Sequence, residues 1–250
     1  MNKFDYKKFY DTVGRLNGWD FSRVKATAEG VKWQFYDEVT QRCKPSDLLL
    51  DIGTGGGESL LSIADAALLL VGVDLSSSMI QTASRHLEHS NKHNVRFYQM
   101  DAEQLEFPNG YFNVVSCRHS PFSAKEIAKV LVNGGVFLTQ QVSENDKLNI
   151  KQAFGRGQSK DPDGTLKNRY IEELKEAGFS DVQSFEYDAT EYFEADEDLL
   201  FLLKHTPIVP SFGEYDHDYE ILHQFIDNNQ TDKGIRTNSK RFMIIAHKSI

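Results

Sequence analysis

Cysteine is nearly missing from this chain. Cys43 and Cys117 are the two among 250 residues, and they offer neither metal-ligand spacing nor a framework of disulfides. A reducing compartment, the cytoplasm, is the expectation. No apolar run reaches the ~18 residues of a membrane-spanning helix. The amino terminus, Met-Asn-Lys-Phe-Asp-Tyr-Lys-Lys, is charged and lacks the apolar centre of a signal peptide. Positive charge is scarce too: 28 Lys and Arg stand against 37 Asp and Glu, for a net charge of −9. Nucleic-acid binding draws on a basic footprint that releases counterions, so the balance argues against a polyanionic partner. The local cluster Lys3, Lys7, Lys8 and Arg15 reads as a solvated helix face. No internal repeat, low-complexity tract or linker divides the chain, which is long enough for one α/β domain over 1–250 with a sizeable core.

What is present is organised around Leu48–Glu58, Leu-Leu-Leu-Asp-Ile-Gly-Thr-Gly-Gly-Gly-Glu. The apolar run fits a strand buried on both faces. It ends in Asp51 and a turn with glycine at 53, 55, 56 and 57; Leu60, Leu61, Ile63 and Ala64 then suit a helix. Strand, glycine turn and helix bind nucleotide-like ligands at the carboxyl edge of open α/β sheets. Glycine permits the sharp turn and the close approach of a ligand. The spacing is Gly-x-Gly-x-Gly, with Glu58 where a dinucleotide fingerprint needs its third glycine. Asp51 and Glu58 would repel a pyrophosphate and would tolerate a ligand carrying sulfonium and ammonium groups.

Two further carboxylates close the next two apolar runs. Leu68-Leu-Leu-Val-Gly-Val ends at Asp74, suited to ribose hydroxyls. Asn94-Val-Arg-Phe-Tyr-Gln-Met ends at Asp101-Ala102-Glu103, where a carboxylate and a backbone N–H suit an adenine. Each Asp alone also reads as a solvated strand end; three in succession are harder to read that way.

Asp51–Glu58, Val73-Asp-Leu-Ser-Ser-Ser-Met79, Gln99-Met-Asp-Ala-Glu-Gln-Leu105 and Ile127-Ala-Lys-Val-Leu-Val-Asn-Gly-Gly135 together resemble class I S-adenosylmethionine-dependent methyltransferases of the ubiquinone/menaquinone type. The likeness covers about residues 46–142 and is specific for fold and cofactor, not for the methyl acceptor. It implies S-adenosyl-L-methionine as cofactor, with S-adenosyl-L-homocysteine as product. The implied cofactor contacts are Asp51, Gly53, Thr54, Gly55, Gly57, Asp74, Leu75, Met79, Asp101, Ala102 and Cys117, although Cys117 by itself reads as a small buried hydrophobe. The chain departs from the family at Asn113, where Asp is usual, and at Val132-Asn133, where Lys-Pro is usual.

The expected architecture is a Rossmann-like, doubly wound α/β fold with a mainly parallel seven-stranded sheet and an antiparallel last strand. Strands are predicted near 47–52, 68–73, 94–100, 112–117 and 134–142, with helices near 57–66, 77–90 and 122–132. Residues 1–45 read as a helical cap, with a second helix containing Val24 and Ala28. Residues 46–192 and 238–250 read as core, and 193–237 as a cover insertion in which Pro207 and Pro210 break an apolar helix.

Acceptor contacts are expected from the fourth strand's end and the covering segments. His119 is the leading base or acceptor-orienting group, its plain alternative being a bond to a loop carbonyl; His205 is the second candidate. Tyr6, Tyr10, Trp19, Arg118, Phe201 and Phe212 are the expected acceptor-binding residues. A small-molecule acceptor is favoured, with a monomer or weak homodimer and no metal or membrane. Two other functions stay open: ribosomal RNA or tRNA methylation, and a catalytically silent S-adenosylmethionine-binding regulator.

Overall fold

The computed structural model describes residues 24–249. Eight parallel or antiparallel strands lie in the order β1-β7-β9-β6-β5-β2-β3-β4, and a two-residue β8 pairs with β9. Their spans are β1 Ala26–Glu29, β2 Leu48–Ile52, β3 Leu69–Asp74, β4 Val95–Gln99, β5 Phe112–Arg118, β6 Leu131–Val142, β7 Phe179–Phe193, β8 Gln230–Thr231 and β9 Gly234–Lys248. The five strands β4, β3, β2, β5 and β6 run parallel. Between β2 and β5 the chain changes direction across the sheet, leaving a crevice at their carboxyl ends, where ligands of open α/β sheets bind.

The inner strands β2 and β3 are largely apolar runs because both faces are covered. Leu50, Ile52, Val71, Val115 and Phe137 pack on one face, and Leu49, Leu70, Val114 and Leu138 on the other. Helices α2 (Glu58–Ser62), α3 (Ser77–Glu88) and α4 (Ala124–Val130) connect them. Ser76 caps α3 and Ser123 caps α4, each accepting a backbone N–H from three residues on. The amide oxygen of Asn113 accepts the Leu48 N–H at 2.9 Å, so the residue that replaces the usual Asp anchors the start of β2.

β9 is antiparallel to both β6 and β7. It pairs with β6 only as far as Arg241 opposite Val142, while Ile235 to Lys240 go on pairing with β7. The β7–β9 ribbon therefore overhangs the carboxyl edge of the sheet by ~20 Å, at ~3.3 Å per residue. Helices α5 (Leu148–Phe154), α7 (Asp196–His205) and α8 (Asp218–Asn229) pack around this overhang. Ile150, Leu203 and Phe225 share a core there with Phe193 and Ile235 of the ribbon. α6 (Thr165–Glu176) lies on the main sheet through Tyr170 and Leu174.

The seven-stranded core with its antiparallel strand is as expected; β1 and β8 extend it. Helix α1 (Phe35–Thr40) buries Phe35 and Val39. The expected helix through Val24 and Ala28 is instead β1, antiparallel to β7. All four β1 residues are exposed, so backbone pairing with an open sheet edge, not side-chain burial, decides this element. β9 begins at Gly234, inside the stretch read as cover. No helix among the described residues is long and apolar enough to cross a membrane.

Candidate active site

Three neighbouring parallel strands bring the predicted cofactor residues to one edge. At the end of β2 the turn folds back on β3, Gly53 and Thr54 N–H donating to Val73 O at 2.9 and 3.0 Å. Gly53, Gly55 and Gly57 all have positive φ, between 57° and 80°, which a side chain would strain. At Gly55 a Cβ would meet nothing within 4 Å, so the crown of the turn faces open space. Beside it, Asp74 accepts the Gly55 N–H at 3.0 Å and the Ser76 N–H at 2.9 Å. Leu75 is 42 % exposed. On β4's far side Asp101 is exposed, receiving the Glu103 N–H at 2.9 Å, and Ala102 is half-buried. Glu58 turns away to His86, 3.3 Å off.

Asp51 lies under the turn and is buried. Ser116 Oγ donates to it at 2.6 Å and Tyr36 OH at 3.4 Å. Burial raises its pKa to about 6 against the pull of these bonds. Tyr36 is raised as well, first by burial and then by the charge of Asp51. Met79 and Cys117 are buried in the core, and burial pushes the Cys117 thiol up to about 12. Their side chains fill the core, so any contact they make with a ligand comes from the backbone.

The end of β5 supplies the other half of the crevice. Arg118 and His119 are exposed although their backbone stands mid-sheet, which defines a recess. Arg118 lies 5.9 Å from the centre of the Tyr36 ring. His119 has φ of 56°, uncommon for a non-glycine residue. Its N–H donates to Gln140 O at 2.9 Å, and its Nε2 lies 3.1 Å from Gln140 Nε2. Gln140 Oε1 in turn lies 2.7 Å from Trp33 Nε1. An indole N–H only donates, so Oε1 accepts, the amide NH2 donates to His119, and His119 Nε2 is an acceptor with its proton on Nδ1. The surroundings agree: dense packing around the ring, then Arg241, Arg118 and Lys147, hold its pKa well below the usual value.

Behind this recess stands a buried ion cluster. Asp146 pairs with Arg241 and with Lys147 at 3.6 Å, and Lys147 pairs with Glu191 at 2.7 Å.

The structure thus gathers Asp51, the glycine turn, Asp74, Leu75, Asp101, Arg118 and His119 along one edge. It puts His205 in the cover, its Nδ1 on Phe201 O at 2.8 Å and its ring stacked on Phe201 at 4.0 Å. Phe212 packs on Phe154 and Tyr219 within that cover. Tyr6, Tyr10 and Trp19 lie outside the described residues. Trp33, Tyr36, Tyr187 and Gln140 were missed by the sequence reading. The signals for Trp33, Tyr36 and Gln140 were a Trp-x-x-Tyr spacing leading into α1 and a Gln pair interrupting the apolar run of β6.

A glycine turn and successive carboxylates stand at the switch point of this Rossmann-like sheet, a fold shared with solved methyltransferases. Residues 49–135 match the methyltransferase domain family. The uncharacterized methyltransferase YcgJ of Bacillus subtilis is 33% identical over 106 residues, 40% of this chain and 42% of its own. Its crystal structure aligns with a TM-score of 0.63 at 21% identity, over 86% of this chain and 97% of that one. A ubiquinone biosynthesis O-methyltransferase of Psychrobacter cryohalolentis is 32% identical over 138 residues, 50% of this chain and 54% of its own. A Haemonchus contortus phosphoethanolamine N-methyltransferase, solved with phosphomonomethylethanolamine and S-adenosylhomocysteine, aligns with a TM-score of 0.52 at 18% identity, over 87% and 52%. The chain spans about half the length of the curated relatives it matches. The likeness is to methyltransferases, and in sequence it takes in half of the chain or less.

Proposed function

We propose that this chain transfers the methyl group of S-adenosylmethionine to a modest-sized organic acceptor held at the ends of β5 and β6. The observation that carries the cofactor half is the open space above Gly55 next to the Asp74 carboxylate. A nucleoside fits there: Asp74 receives ribose hydroxyls, Leu75 lines the base, and Asp101 with the Ala102 N–H meets the adenine edge. Asp51, ionised, faces the positive end of the cofactor. When bound, the cofactor supplies an electrophilic methyl group, and the protein has to position the acceptor and exclude water.

The acceptor half rests on the recess around Arg118 and His119. Trp33, Tyr36 and Tyr187 give it aromatic walls, Trp33 and Tyr187 lying 4.6 Å apart. His119 takes part through Nδ1–H, because Gln140 occupies Nε2; it orients an acceptor oxygen. His205 bonds within its own helix and has no part in this reading. The overhanging ribbon and its helices enclose the site from the β6 side, which favours a small acceptor over a polynucleotide.

Two measurements test the proposal. S-adenosylhomocysteine should bind in calorimetry, NAD should not, and Asp74→Ala should weaken the former by about 1.5–3 kcal/mol, the scale of hydrogen bonds to a charged group. Labelled S-adenosylmethionine offered a metabolite extract and bulk RNA should label the extract. Label in RNA alone overturns the small-molecule acceptor; binding with no label in either marks a silent regulator.

A further inference from the structure

The recess contains one exposed cation, Arg118, whose charge acts on Asp51 without forming an ion pair with it. Lys147 and Arg241 are matched by Asp146 and Glu191 in the buried cluster. Asp51 is engaged by Ser116 and Tyr36, and it faces the cofactor's positive end in the proposed reading. Among the described residues no carboxylate lies within ion-pair distance of Arg118, which keeps an exposed side chain. Beside it stands a second donor. His119 Nδ1 carries the ring proton, and among the described residues it meets no acceptor. The ring is kept this way round by Gln140, which Trp33 fixes in turn. The His119 backbone holds a left-handed conformation, a strain that persists where the surroundings enforce it and that gathers at functional sites.

An exposed guanidinium and a neutral imidazole N–H on adjacent residues at one strand end can serve an oxyanion together. Arg offers a planar fork that matches carboxylate and phosphate oxygens in pairs, and charge-assisted bonds are about twice as strong as neutral ones. A cationic amine would meet the exposed Arg118 guanidinium and be repelled. Building on the methyltransferase reading, we propose that the acceptor is anionic: it carries a carboxylate or phosphate monoester, seated on Arg118 and His119 Nδ1–H. Gln140 and Trp33 are positioning residues that hold the imidazole as a donor. Arg118 thereby sets acceptor specificity, while the aromatic walls take the rest of the molecule.

The test uses the full chain, with and without S-adenosylhomocysteine, titrated with benzoate, phenyl phosphate and benzamide. At least one anion should bind ten times or more tighter than benzamide, and whichever does identifies the group. Arg118→Gln should erase that preference and leave S-adenosylhomocysteine affinity within twofold. Equal binding of all three probes overturns the proposal. So does an Arg118→Gln variant that loses S-adenosylhomocysteine binding, because the seat would then hold the cofactor's own carboxylate. Failure of the wild type to bind S-adenosylhomocysteine strikes the methyltransferase reading instead, and the anion preference is still read from the cofactor-free arm. Nitrogen-15 NMR checks the positioning role. His119 should carry its proton on Nδ1 at neutral pH and become a tautomer mixture in Gln140→Leu; a wild-type proton on Nε2 overturns the arrangement.

Discussion

Ser116 Oγ donates to Asp51 Oδ1 at 2.6 Å, the two residues being register partners on the parallel strands β5 and β2. A hydroxyl from the neighbouring strand is the main polar support of a carboxylate sealed in the core. It softens the desolvation of that carboxylate without cancelling it, which is why the Asp51 pKa stands at about 6 and not near the ordinary 3.8.

Stability should record this burial. An acid whose folded pKa is raised contributes stability that is complete below the unfolded pKa and lost as pH rises through the folded one. The shift of ~2 units corresponds to about 3 kcal/mol at ~1.4 kcal/mol per unit. Asp51→Asn removes the titration. Its stability relative to wild type should therefore climb by about 3 kcal/mol between pH 3 and pH 7 in urea unfolding. A pH-independent difference would show that Asp51 is not desolvated.

The same group should control cofactor binding in the opposite sense. The ammonium group that S-adenosylhomocysteine shares with S-adenosylmethionine needs Asp51 ionised, so its affinity should be steady above pH 7 and fall below pH 6, approaching tenfold per unit. Asp51→Asn should bind more weakly at neutral pH and lose this slope. Calorimetry from pH 5 to 8 reads both; a wild-type profile as flat as the variant's would remove Asp51 from the cofactor's surroundings.

Gly72, in the middle of β3, has its own prediction. A Cβ there would come within 2.7 Å of both the Phe97 ring and Thr54 Oγ1. Phe97 also lies against Gly57, where a Cβ would meet its Cζ at 2.5 Å. The ring wedges two glycines and has little room to give. Gly72→Ala should cost about 1–3 kcal/mol, as overpacking does, and should weaken cofactor binding through the displaced Thr54. An unchanged urea midpoint would mean that Phe97 rotates freely out of the way.

The edge proposed for the cofactor was legible in the sequence because its signals are local: an apolar run, a glycine turn and a terminal carboxylate, repeated on neighbouring strands. Leu75 and Asp101 needed only their place after a strand. The acceptor side was legible only in part. Arg118 and His119 follow directly from β5, but Trp33 and Gln140 meet beside them although 107 residues separate the two in the chain. No periodicity encodes that meeting. Helical spacing at Val24 and Ala28 misled for a related reason, since the open edge of β7 lies far along the chain. His205 looked available because sequence does not show that its ring is stacked on Phe201.

Asp146 carries the last prediction. It is buried, pairs with Arg241 and Lys147, and accepts the Lys240 N–H at 2.9 Å. Burial pushes its pKa up, but Arg241 and Lys147 outweigh that and leave it lowered. A lowered acid contributes stability above its unfolded pKa and loses it as pH falls through the folded one. The contribution is therefore intact at neutral pH and fades only below about pH 4. Lys147 also donates to Asn238 O at 3.1 Å and precedes α5, so the cluster ties the overhanging ribbon to the helix that seats the cover. Asp146→Ala strips the shared anion from two cations that stay buried, a change that costs about 3–5 kcal/mol when one partner of a buried pair is removed. Urea unfolding should show that loss at pH 7 and a smaller one at pH 3. The added positive field should also push the His119 pKa further down, readable by NMR in the folded fraction. A loss under about 1 kcal/mol, the value of a surface pair, would mean that solvent reaches the cluster and that the ribbon is held by its hydrogen bonds and apolar core alone.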